Sequence, residues 1–415
     1  MDVLDKSIKW KEVPMSAMNK TNLLRLAGLA AAMFLASCAA KPPPEPVAPV
    51  ETKPEPVESI PEAPKLGLNN KIGLMFPIDA ANPNLKARGV EMDNAARLAV
   101  ELLGLNGVFL TTYNTGGEPE LARLAAERAI ADGNGAIIGP LTSASTEAVA
   151  PIMAREAIPM IALTNDSDRA QPNVYVFGRT VENDIAELFD YLERNDLRRI
   201  GILAPQNLYG DRAVEQAEAQ AGRHNLAITN MFRFSGDSSE VVAQIQEFAD
   251  SMRRESFGPA PDFDALLIPA SAFTMQTVLP GLIYAEIPIK DIQLVGLGIW
   301  ADPTILTDQM MQGAFFPDVD NNRREAFRQA YVGRYNSEPT RIADLAFDAA
   351  ALLGTLIAQQ NAQPNTESDL LNEEGFGGIT GLFRLEEDGR VARKLGMTQI
   401  ENGAFVQLEA TEERF

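Results

Sequence analysis

The chain has 415 residues, of which 46% are apolar and 22% are charged, and its formal net charge is −21. This length allows two domains with sizeable cores, and the negative charge argues against nucleic-acid binding, because phosphates would be repelled. There is one cysteine, Cys38, and one histidine, His224. A single cysteine excludes an internal disulfide. The scarcity of both residue types argues against a metal site and against catalysis by histidine or cysteine. We expect no cofactor.

The N-terminal segment predicts a lipid anchor. Residues 18–25 form a basic segment with Lys20 and Arg25, residues 26–35 are apolar and rich in alanine, and residues 35–38 read Leu-Ala-Ser-Cys. This order predicts a bacterial lipoprotein signal over residues 1–37, whose removal leaves Cys38 as the acylated first residue. The alternative is a short membrane anchor with an incidental cysteine, but the apolar run is too short to span a bilayer.

Residues 38–69 carry the predicted lipid and a linker. Between Lys41 and Lys65 the chain is dense in proline, glutamate, valine and alanine. Proline at this density holds the backbone near polyproline II, so the segment could reach roughly 80 Å as a tether at ~3.1 Å per residue. A proline-rich docking ligand is the alternative interpretation. Ala39, rather than aspartate, follows Cys38. By resemblance to known lipoprotein sorting, this favours the outer membrane over the inner one.

From Lys71 onward, short apolar runs alternate with amphipathic helical patterns, which predicts an α/β fold with parallel sheets. Asp388-Gly389 and Asn402-Gly403 are strong hairpin signals near the C-terminus. No nucleotide-binding glycine motif occurs, so Gly116 and Gly117 are ordinary loop residues. The main predicted strands are 72–76, 108–112, 136–138, 158–163, 200–204, 228–234, 265–268 and 293–297.

The region 136–165 predicts strand, turn, helix and strand in succession. Its first strand is stopped by Gly139-Pro140, and its second ends in Thr164-Asn165-Asp166-Ser167. Two strand ends therefore place small polar side chains and free backbone N–H groups at one sheet edge. Open α/β sheets bind ligands at this carboxyl edge.

These residues resemble the type I periplasmic binding proteins, specifically the receptors for branched-chain amino acids and amides. The resemblance rests on 136–146 and 158–165, on 174–180 as a crossing between lobes, on Tyr209-Gly210 and on the helix containing 347–350. It covers about residues 70 to 410. It implies two Rossmann-like lobes with parallel sheets, joined by crossover hinges. The implied division places 70–180 and 317–378 in lobe 1, and 181–316 and 379–415 in lobe 2.

The family resemblance also implies which residues face the cleft between the lobes. In amino-acid receptors, a lobe 1 serine holds the ligand carboxylate, while a lobe 2 aromatic and an acidic residue hold the ammonium group. Here the aromatic position reads Ala270-Ser271-Ala272 and the acidic position reads Leu297 to Trp300, so the amino-acid site departs from the pattern. Asp166 would also repel a ligand carboxylate. The expected cleft residues are Ser143, Thr164, Asn165, Asp166, Tyr209, Ser271 and Trp300.

Four of these residues have alternative structural interpretations. Ser143 could be only a helix cap, and Tyr209 could be packing within lobe 2. Trp300 could be a loop aromatic at the surface, although a tryptophan at a strand end often contacts a ligand or partner. Asp166 could cap the turn that follows it.

The C-terminal run, with 378–384 followed by 388–391 and the Asn402-Gly403 turn, is similar to that of the penicillin-binding protein activator (LppC-type) lipoproteins. That similarity implies a non-catalytic regulator, lipid-anchored in the periplasm at the outer membrane, that binds and stimulates a bifunctional peptidoglycan synthase. The alternative is a lipid-anchored solute receptor of an ABC importer for ligands similar to amino acids or amides. Either protein could hold a small molecule in the cleft.

Overall fold

The computed structural model describes residues 68–235, 238–255, 262–319, 321–359, 367–412 and 414–415. The predicted signal sequence, Cys38 and nearly all of the proline-rich tether lie outside these ranges. From Lys71 onward, strands and helices alternate as the sequence predicts.

The strands and helices of the described ranges are named in chain order. The strands are β1 (Lys71–Phe76), β2 (Phe109–Asn114), β3 (Ala136–Ile138), β4 (Met160–Ala162), β5 (Val174–Val176), β6 (Arg199–Pro205), β7 (Ala227–Phe234), β8 (Ala265–Leu267), β9 (Gln293–Val295), β10 (Phe315–Asp318), β11 (Phe376–Gly378), β12 (Gly381–Leu385), β13 (Val391–Lys394), β14 (Gly396–Glu401) and β15 (Ala404–Glu409). The helices are α1 (Pro83–Leu102), α2 (Pro119–Ala131), α3 (Ser143–Glu156), α4 (Val181–Arg194), α5 (Leu208–Ala221), α6 (Ser238–Glu255), α7 (Ala272–Tyr284), α8 (Asn321–Tyr335), α9 (Arg341–Gln359) and α10 (Glu367–Leu370).

Lobe 1 is built on a parallel sheet with the strand order β2-β1-β3-β4-β5. Ile72 of β1 lies opposite Leu110 of β2 on one side and Ala136 of β3 on the other. The three strands β3, β4 and β5 are buried at every position, as expected for short apolar runs in a sheet covered on both faces. The predicted strands of this lobe are confirmed.

Helices cover both faces of the lobe 1 sheet. Helices α1 and α9 pack together on one face, and α2 and α3 pack on the other. Helix α1 begins where the Asn82 side chain accepts the N–H groups of Asn84 and Leu85, with a proline in the first turn. Helix α9 is long and apolar enough to span a membrane, but most of its residues are buried inside lobe 1. It is therefore explained as a core helix.

Lobe 2 is built on a mixed sheet with the strand order β15-β14-β10-β9-β8-β6-β7. Strands β6 to β10 pair in parallel, whereas β14 pairs antiparallel with both β10 and β15. Asn402 and Gly403 join β14 to β15, and both have positive φ, at 52° and 72°. Two positive φ angles match the two-residue hairpin turn that the Asn-Gly pair predicts.

The small antiparallel sheet β11-β12-β13 belongs to lobe 1, which differs from the predicted return to lobe 2 at residue 379. Ile379, Phe383 and Val391 are buried in the same core as β1, α1 and α9. The Phe383 ring packs edge-on against Phe177, with ring centroids 4.8 Å apart. The chain instead enters the lobe 2 sheet with β14, at Gly396. An apolar strand pattern shows that a residue is buried but not which of two adjacent cores receives it.

Candidate functional site

Two of the predicted residues meet at the mouth of the cleft, but they bind each other. The Ser143 hydroxyl donates a hydrogen bond to Oδ2 of Asp166. Asp166 also accepts hydrogen bonds from Nε of Arg169 at 3.1 Å and from Nη2 of Arg212 at 2.9 Å. Burial alone would raise the pKa of Asp166, yet these donors hold it below its usual value. The serine expected to hold a ligand carboxylate is therefore already bound to a carboxylate of the protein.

Arg212 joins the two lobes at this point. It projects from α5 of lobe 2 and donates to Asp166 and Asp168, which follow β4 of lobe 1. It also donates to the Ser167 hydroxyl at 2.9 Å and lies 3.5 Å from Glu182. We call Ser143, Ser167, Asp166, Asp168, Glu182 and Arg212 the mouth cluster. Because the side chain of Arg212 is only 17% exposed, these contacts are better protected from solvent than those of an ordinary surface pair.

Three further predicted residues have local structural roles in this conformation. The Thr164 hydroxyl accepts the backbone N–H of Asp166 at 3.2 Å. Ser271 caps α7, because its hydroxyl accepts the N–H of Thr274 at 3.2 Å. Tyr209 is half-buried against the lobe 2 core, and burial raises the pKa of its hydroxyl. Of the expected alternatives, packing for Tyr209 and turn capping for Asp166 both match the observed contacts.

Trp300 lies in the core of lobe 2 and not in the cleft, where it was expected. The side chain is fully buried, its ring packs edge-on against Phe316, and Nε1 donates to the carbonyl oxygen of Ala270 at 3.0 Å. The apolar surface of an indole favours burial once its single N–H finds an acceptor. In this conformation a ligand in the cleft would not reach it.

The lobe 2 run expected to hold an acidic residue, Leu297 to Trp300, includes Gly298, and the space beside Gly298 is filled by the Arg179 guanidinium. A Cβ atom at Gly298 would lie 2.1 Å from Cζ of Arg179, so no larger side chain fits while Arg179 stays in place. The Gly298 N–H donates to Oδ2 of Asp184 at 2.7 Å. Within this run, the described contacts of Gly298 are therefore with a guanidinium group and with the carboxylate of Asp184.

Arg179 is fixed by a buried network that connects the crossing segments. Its guanidinium donates to Asp184 at 2.7 Å, to Asp318 at 2.9 Å and to the carbonyl oxygen of Pro317. Asp318 is fully buried and also accepts a hydrogen bond from Arg341 at 2.8 Å. Two arginines therefore compensate one buried carboxylate where the first and second crossings meet, and this network favours a fixed hinge geometry.

A cavity of about 280 Å³ lies between the lobes on the hinge side, and we call it the hinge cavity. Of the seven predicted cleft residues, all within the described ranges, Asn165 lines this cavity and the other six do not. Its walls come from both lobes and from the crossing segments. The lining residues are Leu141, Leu163, Asn165, Gly178, Arg179, Gly298, Ala301, Val319, Arg341, Ile342, Asp344, Leu345, Thr380, Arg393 and Leu395.

Sequence reasoning missed Arg179 and Arg212, the two arginines that define the site. Arg179 lies within the run 174–180 identified as a crossing, but its partner Asp318 is 139 positions away. Arg212 lies in the second turn of α5, and its partner Asp166 is 46 positions away. No local feature of the sequence identifies the partners of either arginine. Among the described residues, no group of three potential metal ligands comes together.

Comparison with known proteins agrees with this architecture. The model of a family described as periplasmic binding protein matches residues 71–404. Curated protein sequences give no match. A solved structure of a candidate branched-chain amino acid ABC transporter from Rhodospirillum rubrum has a TM-score of 0.70 at 16% identity, covering 82% of this chain and 100% of that one.

Two other solved structures represent the two functions that the sequence left open. LivJ from Streptococcus pneumoniae, a branched-chain amino acid transporter substrate binding protein in complex with isoleucine, has a TM-score of 0.57 at 18% identity, covering 83% of this chain and 100% of that one. The LpoA (YraM) C-domain from Haemophilus influenzae, a regulator of PBP1A, has a TM-score of 0.60 at 17% identity, covering 81% and 99%. At these identities the likeness shows the fold alone. Together with the family match, it shows that the chain belongs to the periplasmic binding protein family and has the type I fold.

Proposed function

We propose that this protein is a non-catalytic regulator that binds and stimulates a bifunctional peptidoglycan synthase, held at the outer membrane by a lipid on Cys38. The observation that carries the proposal is the mouth cluster, in which the Arg212 side chain of lobe 2 forms ion pairs with aspartates of lobe 1. Family membership implies a periplasmic location, which is where the synthase would be met.

An uptake receptor couples closure of its lobes to the solute. A ligand can shift an open–closed equilibrium only by as much as it prefers one of the two states. Here Arg212 of lobe 2 binds Asp166 and Asp168 of lobe 1, so internal contacts stabilise this arrangement of the lobes without a solute. A regulator needs a fixed surface more than it needs a solute-driven change of shape. The mouth cluster suits that requirement.

The lack of a lobe 2 carboxylate for a ligand's ammonium group also supports the proposed regulator. The run Leu297 to Trp300 carries no acidic residue, and the Arg179 guanidinium occupies the space beside Gly298. Because Arg179 already pairs with Asp184 and Asp318, neither carboxylate is free to bind the ammonium group of a free amino acid. The LpoA C-domain has a similar fold and is described as a regulator of PBP1A, which is a function other than transport.

A lipid-anchored solute receptor of an ABC importer is the second candidate, and the hinge cavity favours it. A cavity of about 280 Å³ with mixed apolar and charged walls is large enough for a small ligand, close to the lower end of the ~300–1,000 Å³ found for ligand pockets. The two functions differ in whether a ligand or a protein partner is the primary target.

Replacing Cys38 with serine tests the proposed anchor. Because serine cannot form the thioether that carries the lipid, we expect Cys38→Ser to lose lipidation and to move from the membrane fraction to the soluble fraction. Labelled palmitate incorporation and membrane fractionation measure this. A Cys38→Ser protein that still incorporates label, or still sediments with membranes, would contradict the lipoprotein prediction.

Direct binding to a synthase tests the proposed function. The fragment from Lys65 to Phe415 contains both lobes and lacks the predicted anchor. We expect it to bind the immobilised periplasmic part of a bifunctional peptidoglycan synthase, and not an unrelated periplasmic protein. Equal binding to the immobilised synthase and to the unrelated protein would contradict the proposed regulator and favour the solute receptor.

A further inference from the structure

A second pocket, of about 290 Å³, lies within lobe 2, and we call it the α7 pocket. It is formed between α7 and two short 3-10 helices, Pro303–Thr307 and Gln309–Met311. No residue that lines it also lines the hinge cavity or belongs to the mouth cluster. The chemistry of the α7 pocket is therefore independent of whatever the cleft binds.

The floor of the α7 pocket is apolar. Met275 and Leu279 of α7 line it together with Ile305, and each of the three is at most 3% exposed. A small apolar group of a ligand would be favoured here, because placing it against this floor removes apolar surface from water. The volume is close to the lower end of the ~300–1,000 Å³ found for ligand pockets, so it suits one ring with a short substituent.

The rim of the α7 pocket is polar and, apart from one carboxylate, neutral. The side-chain amides of Gln276 and Gln309 line it and have no hydrogen-bond partner among the described residues. An amide group both donates and accepts hydrogen bonds, as a neutral ligand with hydroxyl and amide groups requires. Asp308 adds an acceptor, although one of its oxygens already accepts the N–H of Met310 at 2.9 Å. None of the described lining residues is an arginine, lysine or histidine, so a carboxylate or phosphate would find no opposite charge.

An exposed aromatic ring stands next to the α7 pocket. Phe273 is 80% exposed, more than any other large apolar side chain of the described residues. It lies three positions before Gln276, so the two side chains are neighbours on one face of α7. None of the 13 residues of α7 is charged, although 22% of the residues in the chain are. A phenyl ring offers a flat surface on which the C–H groups of a sugar ring can pack while the sugar hydroxyls remain free to form hydrogen bonds.

We propose that the α7 pocket binds an N-acetylated hexosamine unit of a glycan. The sugar ring packs on Phe273, its hydroxyl and amide groups form hydrogen bonds with Gln276, Gln309 and Asp308, and the acetyl methyl group contacts the apolar floor. The flat ring, the neutral polar rim and the apolar floor thus each have a counterpart in one ligand. The proposal goes beyond synthase binding and does not depend on it.

Titration calorimetry with three matched trisaccharides tests the proposal. The β-1,4-linked trimers of N-acetylglucosamine, glucose and glucosamine differ only in the group on the second carbon of each ring. In mildly acidic buffer this group is an acetamide, a hydroxyl or an ammonium group, respectively. With the fragment from Lys65 to Phe415, we expect the N-acetylated trimer to bind about tenfold or more tightly than the other two, because only its methyl group fills the apolar floor.

Phe273→Ala locates the site, and we expect it to weaken binding of the N-acetylated trimer about tenfold. Gln276→Leu, which keeps the size but removes the amide, should also weaken binding. Tyr284→Ala is the matched control, since Tyr284 is 72% exposed and lies about 16 Å further along α7 at ~1.5 Å per residue. Phe273 and Tyr284 are both exposed, so neither substitution should alter thermal unfolding.

Three results would overturn the proposal. The first is no binding of the N-acetylated trimer, or equal affinity for all three trimers. The second is tighter binding of the ammonium form, which would make the pocket a cation site at Asp308. The third is equal affinity in Phe273→Ala and Tyr284→Ala, which would place the sugar elsewhere.

Co-sedimentation with purified peptidoglycan distinguishes the two sources of such a sugar, which are the glycan strands of peptidoglycan and free oligosaccharides. Pelleting of the wild-type fragment that is lost in Phe273→Ala would assign the α7 pocket to the glycan strands. Binding of the trimer without pelleting, or pelleting that Phe273→Ala leaves unchanged, would assign the pocket to free oligosaccharides.

Discussion

Arg179→Met is expected to reduce the free energy of unfolding by about 3–5 kcal/mol, the range found when one partner of a buried ion pair is removed. Methionine keeps much of the side-chain volume but donates no hydrogen bonds. Asp184 and Asp318 would then lose their direct bonds to the guanidinium, and both are at least 98% buried. Denaturant unfolding followed by circular dichroism measures the change.

Arg328→Met is the matched control for this prediction. Arg328 also contacts two carboxylates, Glu325 and Glu338, but its side chain is 33% exposed and the two glutamates are more exposed still. Exposed ion pairs contribute little to stability, so the control should lower the free energy of unfolding far less than Arg179→Met does. A loss in Arg179→Met no larger than in Arg328→Met would mean that the hinge network does not stabilise the fold.

Arg212→Gln is expected to open the cleft. The substitution removes the cation that joins the lobes and leaves Asp166, Asp168 and Glu182 to repel each other across the cleft mouth. Hydrogen bonds to charged groups contribute about 1.5–3 kcal/mol each, which is enough to shift a two-state opening equilibrium more than tenfold. Small-angle X-ray scattering should record a larger radius of gyration in the variant than in the wild-type protein.

Arg194→Gln is the control for the opening. Arg194 binds Asp190 and Glu409, and all three residues belong to lobe 2. Its loss removes a comparable number of ion pairs without touching the cleft, so the scattering curve should stay unchanged. Indistinguishable curves for Arg212→Gln and the wild-type protein would contradict the role given to the mouth cluster.

The elements that could be predicted from the sequence are those whose signals are local. The apolar runs of β3 and β4 gave the correct strands because burial on both faces of a parallel sheet requires such runs. The Asn402-Gly403 turn was correct because few residues tolerate two successive positive φ angles. The family resemblance supplied the two-lobe architecture, and the family match confirms it.

The parts of the site that could not be predicted depend on contacts between distant residues. Arg212 meets Asp166 across 46 positions, and Arg179 meets Asp318 across 139. Nothing in the neighbouring residues identifies these partners. Trp300 follows a strand end, as a ligand-binding aromatic would. Its ring nevertheless lies in the core, where it packs against Phe316 and donates a hydrogen bond to the carbonyl oxygen of Ala270. The placement of β12 and β13 in lobe 1 depends likewise on which core Phe383 enters.

The rate of peptidoglycan synthesis by a purified bifunctional synthase, measured with and without the fragment from Lys65 to Phe415, tests the proposed function most directly. Glycan polymerisation and peptide crosslinking should both be followed, with an unrelated periplasmic binding protein as the control. We predict a faster rate with this protein, unchanged by added leucine and reduced for Arg212→Gln. A rate equal to that of the control protein in both assays would contradict the proposed regulator.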